Sequence, residues 1–166
     1  SPHSQAALDA AAQLAAQFSA ELRGLFVEDV NLLRLAELPF AHEVSFWTAR
    51  RRRVDGEDLE RQLRAQARRV RQRLMQLAER GRLRWSFRVV RGVISSELLE
   101  ALSEVDLIIL GRSGWSVHRR RRIGSTARAV VQGAPVLTLV LQKDCKVGLP
   151  VMVVYDGSSL ANKALA

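Results

Sequence analysis

The chain has 166 residues, a length that suits one domain with a full core, and 48% of them are hydrophobic beside a formal charge of +9 from 26 Lys+Arg and 17 Asp+Glu. That apolar fraction excludes a disordered polyelectrolyte, and no apolar run approaches the roughly 20 residues of a membrane-spanning helix. The single cysteine, Cys145, excludes an internal disulfide, and no charged leader followed by an apolar core is recognisable, so a reducing cytoplasm is the expected compartment.

Ser4 to Phe18 places Ala7, Leu8, Ala11, Leu14, Ala15 and Phe18 at helical spacing and predicts a first helix. Glu21 to Val27 then reads as a strand through Leu22, Leu25 and Val27. Residues 28–47 have no clear period; with Pro39 and apolar side chains such as Leu32, Leu33, Phe40 and Trp47, they are expected to form a packed excursion. Glu57 to Arg80 predicts the longest helix, with Leu59, Leu63, Ala67, Val70, Leu74 and Leu77 on one face, most of its arginines on the other, and Gly81 as its stop. Next come a strand at Trp85 to Val90, a short helix at Ser96 to Leu102 and a buried strand at Asp106 to Leu110. A glycine-punctuated loop over 111–124 leads to a helix at Ser125 to Gln132 and a last strand at Val136 to Leu141. Strands alternating with helices imply an α/β fold with a parallel sheet covered on both faces.

The two ends of the chain resemble each other. Ser1 to Leu8 aligns without gaps on Ser158 to Leu165, an offset of 157 residues, sharing the first Ser and the closing Ala-Leu, and each segment opens an Ala-rich helix with Ser in the capping position. Near the C-terminus that serine follows a short apolar strand, Val151 to Tyr155, and an Asp156-Gly157 turn, which have no counterpart before Ser1. The expected organisation is therefore a window onto a tandem repeat. Residues 1–141 form a domain without its first strand, 142–149 a linker, and 150–166 the start of a second copy. With the first strand restored, the fold is a five-stranded doubly wound parallel sheet. Val151 to Tyr155 is the candidate for the first-strand slot, in the same chain or by a swap from a neighbour, since the linker spans about 30 Å when extended.

One segment carries chemistry. Gly111, Gly114, Gly124 and Ser125 make the pattern G-x-x-G-x9-G-[ST], which starts where a buried strand ends and closes where a helix begins. That is where open α/β sheets bind ligands, and glycines there let backbone N–H groups approach a phosphate while the helix N-terminus adds donors and a favourable dipole. The expected occupant is an anion. Spacing alone leaves a second explanation open, since glycines in a loop also serve simply to turn the chain.

The loop, the Asp106-Leu107-Ile108-Ile109-Leu110-Gly111 strand before it, the helix Ser125 to Gln132 and the run Gly133-Ala134-Pro135-Val136 to Val140 together resemble the universal stress protein family. The Gly24-Leu25-Phe26-Val27 strand and the Asp156-Gly157-Ser158 turn extend the resemblance over nearly the whole chain, except about residues 28–56. It implies the family's fold, related to the adenine nucleotide alpha hydrolases, and its ATP-binding subtype, with Mg2+ carried on the phosphates. Gly111, Gly114, Gly124 and Ser125 would hold ribose and phosphates, Arg112 and Thr126 would line the loop, and Val27 would contact adenine. The family's adenine-side aspartate corresponds to Asp156, beyond the linker. Pairing through the last strand, as a homodimer or pseudo-dimer, is also implied, as is a role as a nucleotide-responsive regulator or binding module.

Two arginine tetrads stand out, Arg50 to Arg53 and Arg119 to Arg122; the second lies inside the glycine loop. The arginines of the long helix suggest a nucleic-acid stripe, but acidic residues fill its first turn and no aromatics are interleaved with them, which argues against nucleic acid. His3, His42 and His118 have no metal-ligand spacing. No nucleophile with an adjacent base, and no carboxylate pair near the loop, is recognisable, so no catalytic residue is assigned. Three readings remain: a nucleotide-responsive binding protein, a slow ATPase or self-phosphorylating protein using Ser125 or Thr126, and a dimerisation scaffold with a vestigial site.

Overall fold

The computed structural model describes residues 2–38, 42–44, 51–53, 55–112, 123–143, 157–159 and 162. In chain order the elements are α1 (Pro2–Gln17), β1 (Leu22–Asp29), α2 (Val30–Glu37), β2 (His42–Val44), β3 (Arg51–Arg53), α3 (Gly56–Gly81), β4 (Trp85–Gly92), α4 (Ile94–Ala101), a 3-10 turn (Leu102–Glu104), β5 (Leu107–Gly111), α5 (Ser125–Gly133) and β6 (Leu137–Leu141). Strands β1 and β4 pair in parallel from Leu22 opposite Trp85 to Asp29 opposite Gly92. Strands β5 and β6 pair in parallel from Leu107 opposite Leu137 to Gly111 opposite Leu141. The described residues thus hold four parallel strands in two separate pairs, with β2 and β3 as a small antiparallel hairpin. The strand expected between the pairs, Val151 to Tyr155, lies outside the described residues.

The helices start and stop for local reasons. Asp55 caps α3, its side chain accepting from the Glu57 N–H at 3.0 Å, while Glu57 and Asp58 in the first turn and Arg80 in the last complement the helix dipole. Leu63, Ala67, Leu74 and Ala78 form its buried stripe. The helix runs through Gly81, and the left-handed residue that ends it is Arg82, with φ 50° and ψ 41°. Asp29 caps α2 in the same way, accepting from the Asn31 N–H at 2.9 Å. The excursion expected over 28–47 is therefore helical in its first third. It ends at Leu38, whose extended backbone is what a following proline demands.

Contacts place α1 and α3 on one face of the strands and α4 and α5 on the other. On the first face Ala12, Ala15, Leu22 and Leu74 make a buried cluster, joined by Phe87, Trp85 and Leu83. Helix α1 also packs against β5 and β6, so it spans both strand pairs. Gly24 belongs to that face because a Cβ there would stand 2.7 Å from the Phe87 ring and 2.8 Å from a Leu74 methyl. On the opposite face Arg23 donates to the Glu104 carbonyl at 3.3 Å and Arg88 pairs with the Glu104 carboxylate at 3.6 Å, while α4 packs on α5. Exposed Glu21 is held below its ordinary pKa by the hydrogen bond from Arg23. Among the described residues no helix is long and apolar enough to cross a membrane.

Candidate functional site

The β5–β6 half gathers most of the sequence-predicted site. At the C-terminal end of β5 the Arg112 N–H donates to the Leu141 carbonyl at 2.6 Å, and the Arg112 carbonyl accepts from the Gly124 N–H at 2.8 Å. These two bonds tie the end of β5, the end of β6 and the start of α5 together, so the glycine loop leaves and re-enters the fold at one place. Gly124 is the N-cap of α5, and Ser125 and Thr126 are its first two residues. Gly111, Arg112, Gly124, Ser125 and Thr126 are thus brought together. Val27 lies two residues before the end of the other pair, opposite Val90 and half-buried. Gly114 and Asp156 lie outside the described residues, as does the flap tetrad Arg119 to Arg122.

The start of α5 differs from those of α2 and α3. No side chain caps it, and its first turn holds no acidic residue. The first N–H groups of any helix lack intrahelical partners, and the dipole places partial positive charge there, so an uncapped first turn suits an incoming anion. Gly124 has φ −62° and ψ 155°, an extended conformation open to any residue, so glycine serves here by leaving out a side chain rather than by a left-handed φ.

Gly111 serves a different end. A Cβ on it would stand 2.8 Å from the His3 carbonyl carbon and 2.9 Å from the Ser4 nitrogen, so the first turn of α1 rests directly on the end of β5. The same turn is tied to the segment after β6, where the Lys143 N–H donates to His3 Nδ1 at 2.7 Å. The first turns of α1 and α5, neither of which contains an acidic residue, therefore both border the end of β5. His3 and Lys143 were not singled out as site residues in the sequence. They lie 140 residues apart, and no local pattern joins them.

Among the described residues no group of His, Cys, Asp or Glu is arranged to hold a metal ion. Donors to an anion here are backbone N–H groups, the Ser125 and Thr126 hydroxyls and the Arg112 guanidinium. Groups of these kinds hydrogen-bond phosphate in general, and among the described residues they include no nucleophile-base pair.

Residues 1–142 match the universal stress protein family, and the chain belongs to that family. Similar solved structures include the universal stress protein UspA from Lactobacillus plantarum, 23% identical, with a TM-score of 0.59 over 84% of this chain and 89% of that one. The hypothetical protein MJ0577 is 20% identical, with a TM-score of 0.58 over 82% of this chain and 88% of that one. At these identities the likeness establishes the fold. No curated protein matches the chain. Membership of the family supports a role in the stress response.

Proposed function

We propose that this universal stress protein domain binds ATP, with Mg2+ carried on the phosphates, and acts as a nucleotide-responsive regulator in the cytoplasm. The observation that carries the reading is the uncapped, acid-free start of α5, hydrogen-bonded through Gly124 to the end of β5. Gly124, Ser125 and Thr126 would take phosphate oxygens through N–H and hydroxyl groups, Gly114 and Arg112 would line the loop, and Val27 would meet the adenine. Gly111 would lie under the ribose and phosphates, although its small size already has a cause in the approach of α1. When bound, Mg2+ would neutralise part of the triphosphate charge.

Completion of the sheet belongs to the same proposal. Residues 107–111 of β5, and Leu25 to Val27 of β1, are only half-buried, whereas strands inside a parallel sheet are covered on both faces. Val151 to Tyr155, from this chain or a neighbour, would pair between them and bring Asp156 to the adenine, giving five strands. Residues 150–166 would then open a second repeat, and β6 would pair with a partner domain. In support of that repeat, Gly157 adopts φ 80°, as an Asp-Gly turn requires, and the Asn162 N–H donates to the Ser158 carbonyl at 3.0 Å, one turn of helix.

Calorimetric titration with ATP and Mg2+ tests the reading, alongside the variants Gly124→Ala and Ser125→Ala. Saturable binding that both variants weaken supports it. No binding by the wild-type chain, together with no nucleotide in the ultraviolet spectrum of denatured protein, would leave the scaffold reading in its place.

A further inference from the structure

A second candidate site lies on the α1–α3 face, away from the glycine loop. Helix α3 runs beside β4, and contacts fix which β4 residues face it: the Arg71 guanidinium sits 5.9 Å from the Trp85 ring centre, Phe87 meets Leu74 across Gly24, and Arg91 pairs with Glu60 at 3.1 Å. Between the Trp85 and Arg91 ends lies a trough of about 430 Å³ with Phe87 and Val89 as its floor and Arg64, Ala67 and Arg68 as its wall. Ala67, on the same buried stripe as Leu63 and Leu74, presents only a methyl to it. Val89 is 47% exposed although it points towards a helix.

The charges around the trough are not balanced. Glu28, 8% exposed, is taken by Arg91, which donates to it from Nε at 3.0 Å and Nη2 at 2.9 Å. That bond raises the arginine above its ordinary pKa. Arg64 is taken by Glu60 at 3.0 Å, whereas Arg71 lies against the Trp85 ring, which carries no compensating charge. Arg68, at the middle of the row, has no carboxylate partner among the described residues. The trough therefore offers two guanidiniums without a carboxylate partner among the described residues, Arg68 at its middle and Arg71 at its Trp85 end, above an apolar floor and inside the volume range of small-molecule sites.

We propose that this trough binds a small amphipathic carboxylate, its acyl or aromatic body against Phe87 and Val89 and its carboxylate on Arg68. The complementarity is specific in both parts. A fully polar anion would leave the exposed Val89 uncovered, and a neutral apolar molecule would leave Arg68 unpaired. None of these groups belongs to the β5–α5 loop, so the site is independent of ATP.

Octanoate titrated calorimetrically into the full chain, with octanol as its uncharged counterpart, tests the proposal. The expected result is saturable one-to-one binding of octanoate, weaker binding of octanol, and no change when ATP is present. Arg68→Glu weakens octanoate roughly tenfold or more. Arg69→Glu, an equal change in net charge at the next helix position and outside the trough, stays within about twofold, as expected for a distant, screened charge. Val89→Ser weakens it by loss of apolar contact. Absence of saturable octanoate binding, equal losses in Arg68→Glu and Arg69→Glu, equal affinity for octanol, or displacement by ATP would each overturn it. So would tight binding of a short single-stranded RNA, reduced equally by the two arginine variants, with no response to octanoate.

Discussion

The two strand pairs treat their helix ends in opposite ways. Beside β1 and β4, Asp29 caps α2, Asp55 caps α3, and Glu57 and Asp58 add negative charge to the first turn of α3; α4, which follows β4, has no side-chain cap but carries Glu97 in its first turn. Around β5 and β6 no acid stands in either first turn: Gly124 precedes α5 with no side-chain cap, and the first turns of α5 and α1 hold no acidic residue. A carboxylate cap adds about 1 kcal/mol to a helix, so leaving it out at the start of α5 forgoes stability. On the proposed reading, the difference separates a half of the molecule that holds the fold from a half that receives the nucleotide's phosphates. Substitutions in the first half should move stability and leave nucleotide affinity alone, while substitutions at the α5 start should do the reverse.

The largest effect is expected in the half built on β1 and β4. Leu74 is 1% exposed at the centre of the α1–α3–β1 cluster. Leu74→Ala should cost about 2–5 kcal/mol in urea unfolding, with unchanged ATP affinity in the folded protein. Gly111→Ala tests the junction between the halves. Its new methyl would meet helix backbone, which cannot rotate away, so a loss of about 1–3 kcal/mol is expected together with weaker ATP binding. A stability loss without any change in binding would assign Gly111 to packing alone.

Smaller effects sharpen the same division. Arg82 holds a left-handed conformation at the end of α3. Arg82→Gly should therefore stabilise the protein by about 0.5–1 kcal/mol, seen as a higher urea midpoint, and leave binding untouched. The smallest effect concerns Glu21, whose pKa is lowered in the fold by the hydrogen bond from Arg23. A lowered carboxylate pKa contributes stability that is present above the ordinary value of 4.5 and is lost as the pH falls through the lower folded value. Glu21→Gln should accordingly be less stable than wild type at neutral pH, and the two unfolding curves should converge as the pH falls below the ordinary value of 4.5 and on through the lower folded one.

The parts of the fold legible in the sequence were those with strong periods. The long apolar stripe of α3 located that helix to within a residue at each end, and the apolar runs of β5 and β6 located both strands. Helix α2 was not legible because it has only eight residues: Leu32, Leu33, Leu35 and Ala36 share one side, but two turns are too few to establish a period, and the Asp29 cap was the signal available. Strand β1 was read two residues short because Glu28 and Asp29 look like loop residues. Their places in the ladder are secured across the pair, by Arg91 and Gly92. In the candidate site the glycine pattern and the Ser125-Thr126 helix start were legible, since both are local. The contact of α1 with Gly111, and the Lys143 bond to His3, join residues more than 100 positions apart and follow from the fold alone.

Gly124→Asp tests the central claim most directly. An aspartate N-cap would give α5 the seal that α2 and α3 already have, and should raise stability by about 0.3–1 kcal/mol. The same carboxylate would occupy the N–H groups proposed for phosphate and repel the triphosphate, so ATP affinity should fall by about tenfold or more. Urea unfolding and ATP calorimetry on this one variant should therefore move in opposite directions. A variant that is more stable and binds ATP as tightly as wild type would contradict the account.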